Sequence, residues 1–190
     1  VAAAVADALG LALDVLVVRK VGVPGNTELA MGAVASGGGI VRNRAIQSAC
    51  GVSDDEFDRA AKGAFDAVES RVARLRGVVP AIPLAGRAVL LVDDGMATGA
   101  TAEVAVRCAL TAGARCVVVA VPVAAREAIE RLEAAGANVV CPLVPEPFLA
   151  VGNWYEDFGQ ISDDEVVACL HGGARQAALP VNARDGVAAI

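Results

Sequence analysis

The sequence predicts an α/β domain built on an open, mainly parallel sheet with helices on both faces, carrying a β-hairpin flap and a small hood. Apolar runs of strand length alternate with helical patterns along the chain, as strands joined by crossover helices do. Gly77, Gly113 and Gly136 fall where helix C-terminal glycines belong. One apolar run, Val89 to Val92, ends in two acids followed by small and hydroxyl residues that open a helix.

An amphipathic helix over Val1 to Leu9 precedes a strand over Leu13 to Val18 and a polar, glycine-bearing segment from Arg19 to Thr27. Ala33 to Ser36 and Ile40 to Arg42 flank Gly37-Gly38-Gly39, and glycine tolerates the positive φ of a hairpin turn, so an antiparallel flap is expected. Ser53-Asp54-Asp55-Glu56 is a capping box. The helix it opens carries Phe57, Ala61, Phe65, Val68, Val72 and Leu75 at steps of three and four, with acids at its start and arginines near its end, and Gly77 and Pro80 stop it. Three strand units follow. Arg87 to Val92 pairs with a helix over Thr101 to Ala112, Arg115 to Val121 with one over Ala124 to Ala135, and Asn138 to Val144 leads into a loop. A second capping box, Ser162 to Glu165, opens a last helix to about Leu170, with His171 just beyond it. The division expected is a domain over 1–171 and a loosely ordered tail over 172–190, which has Gly, Pro, Asn and Ala without periodicity.

The 190 residues suffice for one core. Although 56 % of them are hydrophobic, the apolar stretch from Cys116 is broken by Pro122 and closed by Arg126, short of the roughly 18 residues that a spanning helix needs. No membrane partner is expected. A net charge of −6 with scattered basic residues argues against nucleic acid, as does an aromatic content of 3 %. The five cysteines form no C-x-x-C pair and are odd in number, so they read as reduced thiols of a cytoplasmic protein. No leader-peptide pattern is present, and the chain starts at Val1 within the first helix, as a fragment would.

The chemistry lies in Val89 to Thr101. In an open α/β sheet ligands bind beyond the carboxyl ends of the strands, where Asp93 and Asp94 project. The small residues from Ala97 to Thr101 let backbone N–H groups and a helix N-terminus surround an oxyanion, and Thr98 and Thr101 add hydroxyls. Phosphate beside two carboxylates is repulsive unless a neutral group separates them, and a ribose with two hydroxyls does so. A strand end and a helix cap would need only part of this pattern. There is no Walker A loop and no G-x-G-x-x-G after a strand.

This stretch resembles the 5-phosphoribosyl 1-diphosphate signature of the type I phosphoribosyltransferases. The resemblance implies their fold, with Asp93 and Asp94 on the ribose hydroxyls and with Mg²⁺, and Gly95, Ala97, Thr98, Gly99, Ala100 and Thr101 around the 5′-phosphate. Val17-Val18-Arg19-Lys20 is similar to the Arg-Lys opening the catalytic loop of orotate phosphoribosyltransferases, so Arg19 and Lys20 would face the leaving pyrophosphate. Pro147 to Gly152 and Trp154-Tyr155-Glu156-Asp157 are similar to the hood of hypoxanthine phosphoribosyltransferases with altered spacing, which implies Phe148 and Asp157 beside the base; packing of Phe148 in the core is the alternative. The three segments together resemble a bacterial phosphoribosyltransferase family of undefined acceptor. In that fold a strand and a pyrophosphate loop precede the first helix, and they are expected to be missing upstream of Val1. The activity implied is transfer of the 5-phosphoribosyl group to a nitrogen nucleophile such as a nucleobase, in nucleotide metabolism; the alternative is a non-catalytic module that binds the diphosphate. Dimers are common among the look-alikes, so a homodimer is admitted.

Overall fold

A computed structural model describes residues 1–77, 80–176 and 185–189 of the chain. The elements run α1 (Ala2–Leu9), β1 (Ala12–Val15), β2 (Val18–Val23), β3 (Asn26–Ala35), β4 (Gly39–Arg42), α2 (Arg44–Ala49), α3 (Asp54–Arg76), β5 (Ala88–Val92), α4 (Ala100–Thr111), β6 (Cys116–Ala120), α5 (Arg126–Ala134), β7 (Asn138–Val140), α6 (Asp163–Gln176) and β8 (Asp185–Ala189). A five-stranded sheet has the order β1-β8-β5-β6-β7, and every pairing in it is parallel.

Both faces of this sheet are covered, as the near-continuous apolar strands require. Val89, Leu91, Val117 and Val119 pack with Ala102, Ala105, Val106 and Ala109 of α4 and Ala128 and Leu132 of α5. On the other face Leu13 and Val92 meet Ala6 of α1 and Leu170 of α6. Small alanines on α4 let that helix lie close to the strands, which brings its N-terminus near the end of β5. The expected α/β fold with helices on both faces is what forms.

The flap is a three-stranded antiparallel sheet, β2-β3-β4, with Gly37 and Gly38 at positive φ in the β3–β4 turn. Its inner face rests on α3 through Val21, Val23, Met31, Val34 and Phe57. A Cβ at Gly32 would stand 2.8 Å from the Phe57 ring, so only glycine lets the ring approach there. On its outer side Arg42 lies 4.2 Å from the centre of the same ring.

The capping box of α3 forms in full, with Ser53 accepting from the Glu56 amide and Glu56 accepting from that of Ser53. At the other end, Arg76 donates from Nε and Nη2 to the buried Asp14 carboxylate at 2.8 and 2.9 Å, and the Ile82 amide donates to it at 3.0 Å. This clasp ties α3 and the following loop to β1. Among the described residues no helix is long and apolar enough to cross a membrane.

Several boundaries differ from the sequence expectation. The single strand over Leu13 to Val18 divides at Leu16-Val17, where the chain leaves the parallel sheet for the flap. Ser36 holds that corner: its Oγ accepts from the Val17 amide at 3.1 Å and its own amide donates to the Val17 carbonyl at 2.9 Å. The segment read as polar from Arg19 contains β2, whose inward residues are only Val21 and Val23, a period too short to stand out. β7 ends at Val140 rather than Val144, ahead of Pro142, which has no amide to donate. In place of a loose tail from Gly172, α6 continues through His171 and its two glycines to Gln176, and residues 185–189 form β8 between β1 and β5. A five-residue strand paired on both sides draws its stability from hydrogen bonds in which side-chain periodicity has no part. The rest of that tail, 177–184 and 190, lies outside the described residues.

Candidate active site

β5 ends at Val92, and the next two residues stand at the carboxyl edge of the sheet. Asp93 and Asp94 line a cavity of about 420 Å³ together with Leu16, Val17, Val18, Arg71, Val92 and Thr101. A second cleft of about 140 Å³ is bounded by Asp93 and by every residue from Gly95 to Ala102. Asp93 and Thr101 belong to both, so the two hollows adjoin.

The smaller cleft is a backbone cradle. Gly99 is the N-cap of α4 in the left-handed conformation, φ 67°, and offers no side chain to the helix. The first-turn amides thus receive no acceptor from the cap, the arrangement that binds anions at helix N-termini. Close packing requires the glycine as well, since a Cβ at Gly99 would lie 3.1 Å from that of Ala128 on α5. Thr98 Oγ1 accepts from the Ala100 amide at 3.4 Å, and Thr98 and Thr101 are exposed to the cleft side.

The two acids differ. Burial pushes Asp93 up to about 6; the Asp94 amide, which donates to Asp93 Oδ1 at 2.9 Å, acts against this, and the neighbouring Asp94 charge acts with it. Asp94 is also raised by burial, and the amides of Asp94 and Gly95 partly oppose the rise. Two partly desolvated carboxylates with few donors of their own are poised for a partner that brings hydroxyls or positive charge. Among the described residues no group of three His, Cys, Asp or Glu side chains converges on a metal position. A pair of carboxylates still fits a hard cation that keeps water and substrate oxygens as its other ligands, the usual habit of Mg²⁺.

Arg19 and Lys20 follow the cavity-lining Val18 on β2 and are exposed at the flap edge. Among the described residues their side chains make no ion pair. Phe148 is partly buried against the main core and lines neither hollow. Asp157 is exposed on the hood and likewise lines neither hollow.

One residue escaped the sequence reading. The Tyr155 hydroxyl donates to the Asp94 carbonyl at 2.6 Å, and its ring centre lies 5.3 Å from that of Phe158. Burial, then the charges of Asp94 and Asp93, lifts the pKa of this phenol above its ordinary value, so the hydroxyl keeps its proton. A long-range bond from a side chain to a backbone oxygen has no periodic signature; its only cue was a tyrosine within the aromatic Trp154-Tyr155 pair.

The comparisons with known proteins agree with this geometry. A family profile described as the phosphoribosyl transferase domain matches residues 1–144. Two Mycobacterium tuberculosis proteins, from strains CDC 1551 and H37Rv and both named "Putative phosphoribosyl transferase", are 42 % identical over 170 residues, which is 90 % of this chain. That match spans only 38 % of each relative's length. The crystal structure of TT1426 from Thermus thermophilus superposes with a TM-score of 0.77 at 47 % identity, over 88 % of this chain and 79 % of that one. With the profile covering most of the chain, and the parallel sheet, acid pair and amide cradle in place, this chain belongs to the phosphoribosyl transferase domain family.

Proposed function

We propose that the chain binds 5-phosphoribosyl 1-diphosphate and transfers its 5-phosphoribosyl group to a nitrogen nucleophile, releasing pyrophosphate. The observation that carries this reading is the adjoining of the two hollows at Asp93 and Thr101. A pentose over the acids with its terminal phosphate in the cradle would occupy both at once, and the neutral ring would separate the phosphate from the carboxylates.

In this reading Asp93 and Asp94 accept hydrogen bonds from the ribose 2′- and 3′-hydroxyls, while the amides from Gly95 to Thr101 and the threonine hydroxyls hold the 5′-phosphate. As the bond from C1 to the pyrophosphate oxygen breaks, positive charge develops on the ring, and carboxylates beneath it favour that state. Arg19 and Lys20 stand at the flap edge, where a guanidinium fork and an ammonium can receive the departing pyrophosphate. Asp93 and Asp94 would hold a Mg²⁺ ion, which would supply further positive charge against the leaving group. The incoming nitrogen bonds to C1 as the bond from C1 to the pyrophosphate oxygen breaks, and its proton passes to the released pyrophosphate.

Pyrophosphate release, followed while nucleobases and small amines are screened with the diphosphate and Mg²⁺, tests the transfer. Release that depends on an acceptor supports it. Binding of the diphosphate without release from any acceptor would instead favour a binding module, and absence of binding would remove the reading altogether.

A further inference from the structure

The hood and the acid pair are joined at two places. Asp94 has both polar groups of its own backbone engaged, its N–H by Asp93 Oδ1 at 2.9 Å and its C=O by the Tyr155 hydroxyl at 2.6 Å. The next residue, Gly95, has no room for a side chain, because a Cβ there would lie 2.6 Å from Cγ1 of Val151 and 3.0 Å from Cγ1 of Val123. Val151 opens the short 3-10 turn Val151–Trp154, and Tyr155 closes it. The hood therefore rests on Gly95 through one end of that turn and is bonded to Asp94 through the other. Phe158 packs back on Tyr155 and lies over Gly152, where a Cβ would stand 3.0 Å from its ring, which stiffens the turn itself.

A clasp of this kind has a consequence for chemistry. With its N–H and its C=O both held, the main chain of Asp94 is fixed on either side of Cα, which fixes the direction in which the side chain leaves the backbone, and the phenol supplies the hold from the hood side. From this we infer that Tyr155 is a positioning residue that couples the hood to the acid pair, so that a pentose engaging Asp94 is sensed at the hood. The inference rests on the proposed function, since it takes Asp94 to be a ligand-holding acid. A tyrosine that merely packed the hood in place would leave the affinity of the acid pair untouched.

The chain contains one tryptophan, Trp154, adjacent to Tyr155 and 42 % exposed, so its emission reports the hood alone. The test titrates the wild-type chain and Tyr155→Phe with 5-phosphoribosyl 1-diphosphate and Mg²⁺, following heat and Trp154 emission in the same samples, with thermal unfolding as the check on folding. The expected result is a wild-type emission change on binding and, in a Tyr155→Phe chain that melts within a few degrees of the parent, affinity lower by about threefold to tenfold, the range one hydrogen bond spans. Most of the emission change is lost with it. Val151→Ala, which loosens the contact at Gly95 and leaves the phenol alone, moves both readouts in the same direction and serves should the tyrosine variant fold poorly. Binding and emission identical to wild type in both variants would overturn the coupling while leaving the proposed ligand intact. A wild-type chain that does not bind the diphosphate fails the proposed function, and the coupling with it.

Discussion

Arg76, at the last turn of α3, forms a two-pronged ion pair with Asp14 in the middle of β1, with Nε at 2.8 Å from one carboxylate oxygen and Nη2 at 2.9 Å from the other. Asp14 is 6 % exposed. Removing one partner of such a pair leaves the other buried and uncompensated, which costs about 3–5 kcal/mol. Asp14→Ala is expected to lower stability by an amount of that order in denaturant unfolding, with Arg76→Ala and the double variant costing less than the sum of the two singles. A loss below about 1 kcal/mol would show that the clasp is not a determinant of the fold.

Burial acts on Asp93 with no arginine beside it among the described residues. Its pKa in the folded chain is about 6, above the ordinary carboxyl value, chiefly through burial. The folded state then binds the proton more tightly than the unfolded state. This group's effect on stability is accordingly most favourable below about pH 4, and is lost as pH rises through about 6. Partial solvent access limits the penalty at neutral pH to about 1–2 kcal/mol. Asp93→Asn keeps the acceptor for the Asp94 amide and is expected to raise stability at pH 7 by that amount while flattening the dependence between pH 4 and 6, read from melting curves across that range.

Gly99 combines a positive φ with a close neighbour on α5. Alanine there meets both backbone strain and Ala128, and the expected loss is about 1–2 kcal/mol of stability. Because the strain falls on the cradle, affinity for ribose 5-phosphate measured by titration should fall with it. Gly63, in the middle of α3 with open space around its Cβ position, is the control: alanine at that site is expected to stabilise by up to about 1 kcal/mol.

In the proposed function Arg19 and Lys20 face the pyrophosphate, not the ribose phosphate. A chain with both replaced by glutamine is expected to bind 5-phosphoribosyl 1-diphosphate at least tenfold more weakly, as loss of charge-assisted bonds at two sites implies. Its affinity for ribose 5-phosphate should be unchanged within about twofold. Equal weakening for both ligands in parallel titrations would contradict the assignment.

How much of this was readable from residues alone follows from the range of each interaction. The α3 helix could be read nearly to the residue, since its capping box, apolar spacing and terminal glycine all act within a few positions; Ala64 rather than Phe65 is the buried neighbour. The end of β5 and the cradle were equally local, because two acids, small residues and a helix start are contiguous. Ser36 at the corner between sheets and Tyr155 on Asp94 were not legible, for they join segments 19 and 61 positions apart, the first through two hydrogen bonds and the second through one. Phe148 illustrates a further difficulty: aromatic character suits a stacking face and a core position equally, and the residue type alone does not distinguish them.

The proposed function depends on Asp94 as a ligand for the pentose. Calorimetric titration of the wild-type chain and of Asp94→Asn with 5-phosphoribosyl 1-diphosphate and Mg²⁺ addresses this directly. Saturable binding by the former, weakened at least tenfold in the latter with the melting temperature preserved, is the result expected. Equal binding by the two chains, or none by the wild type, would contradict it.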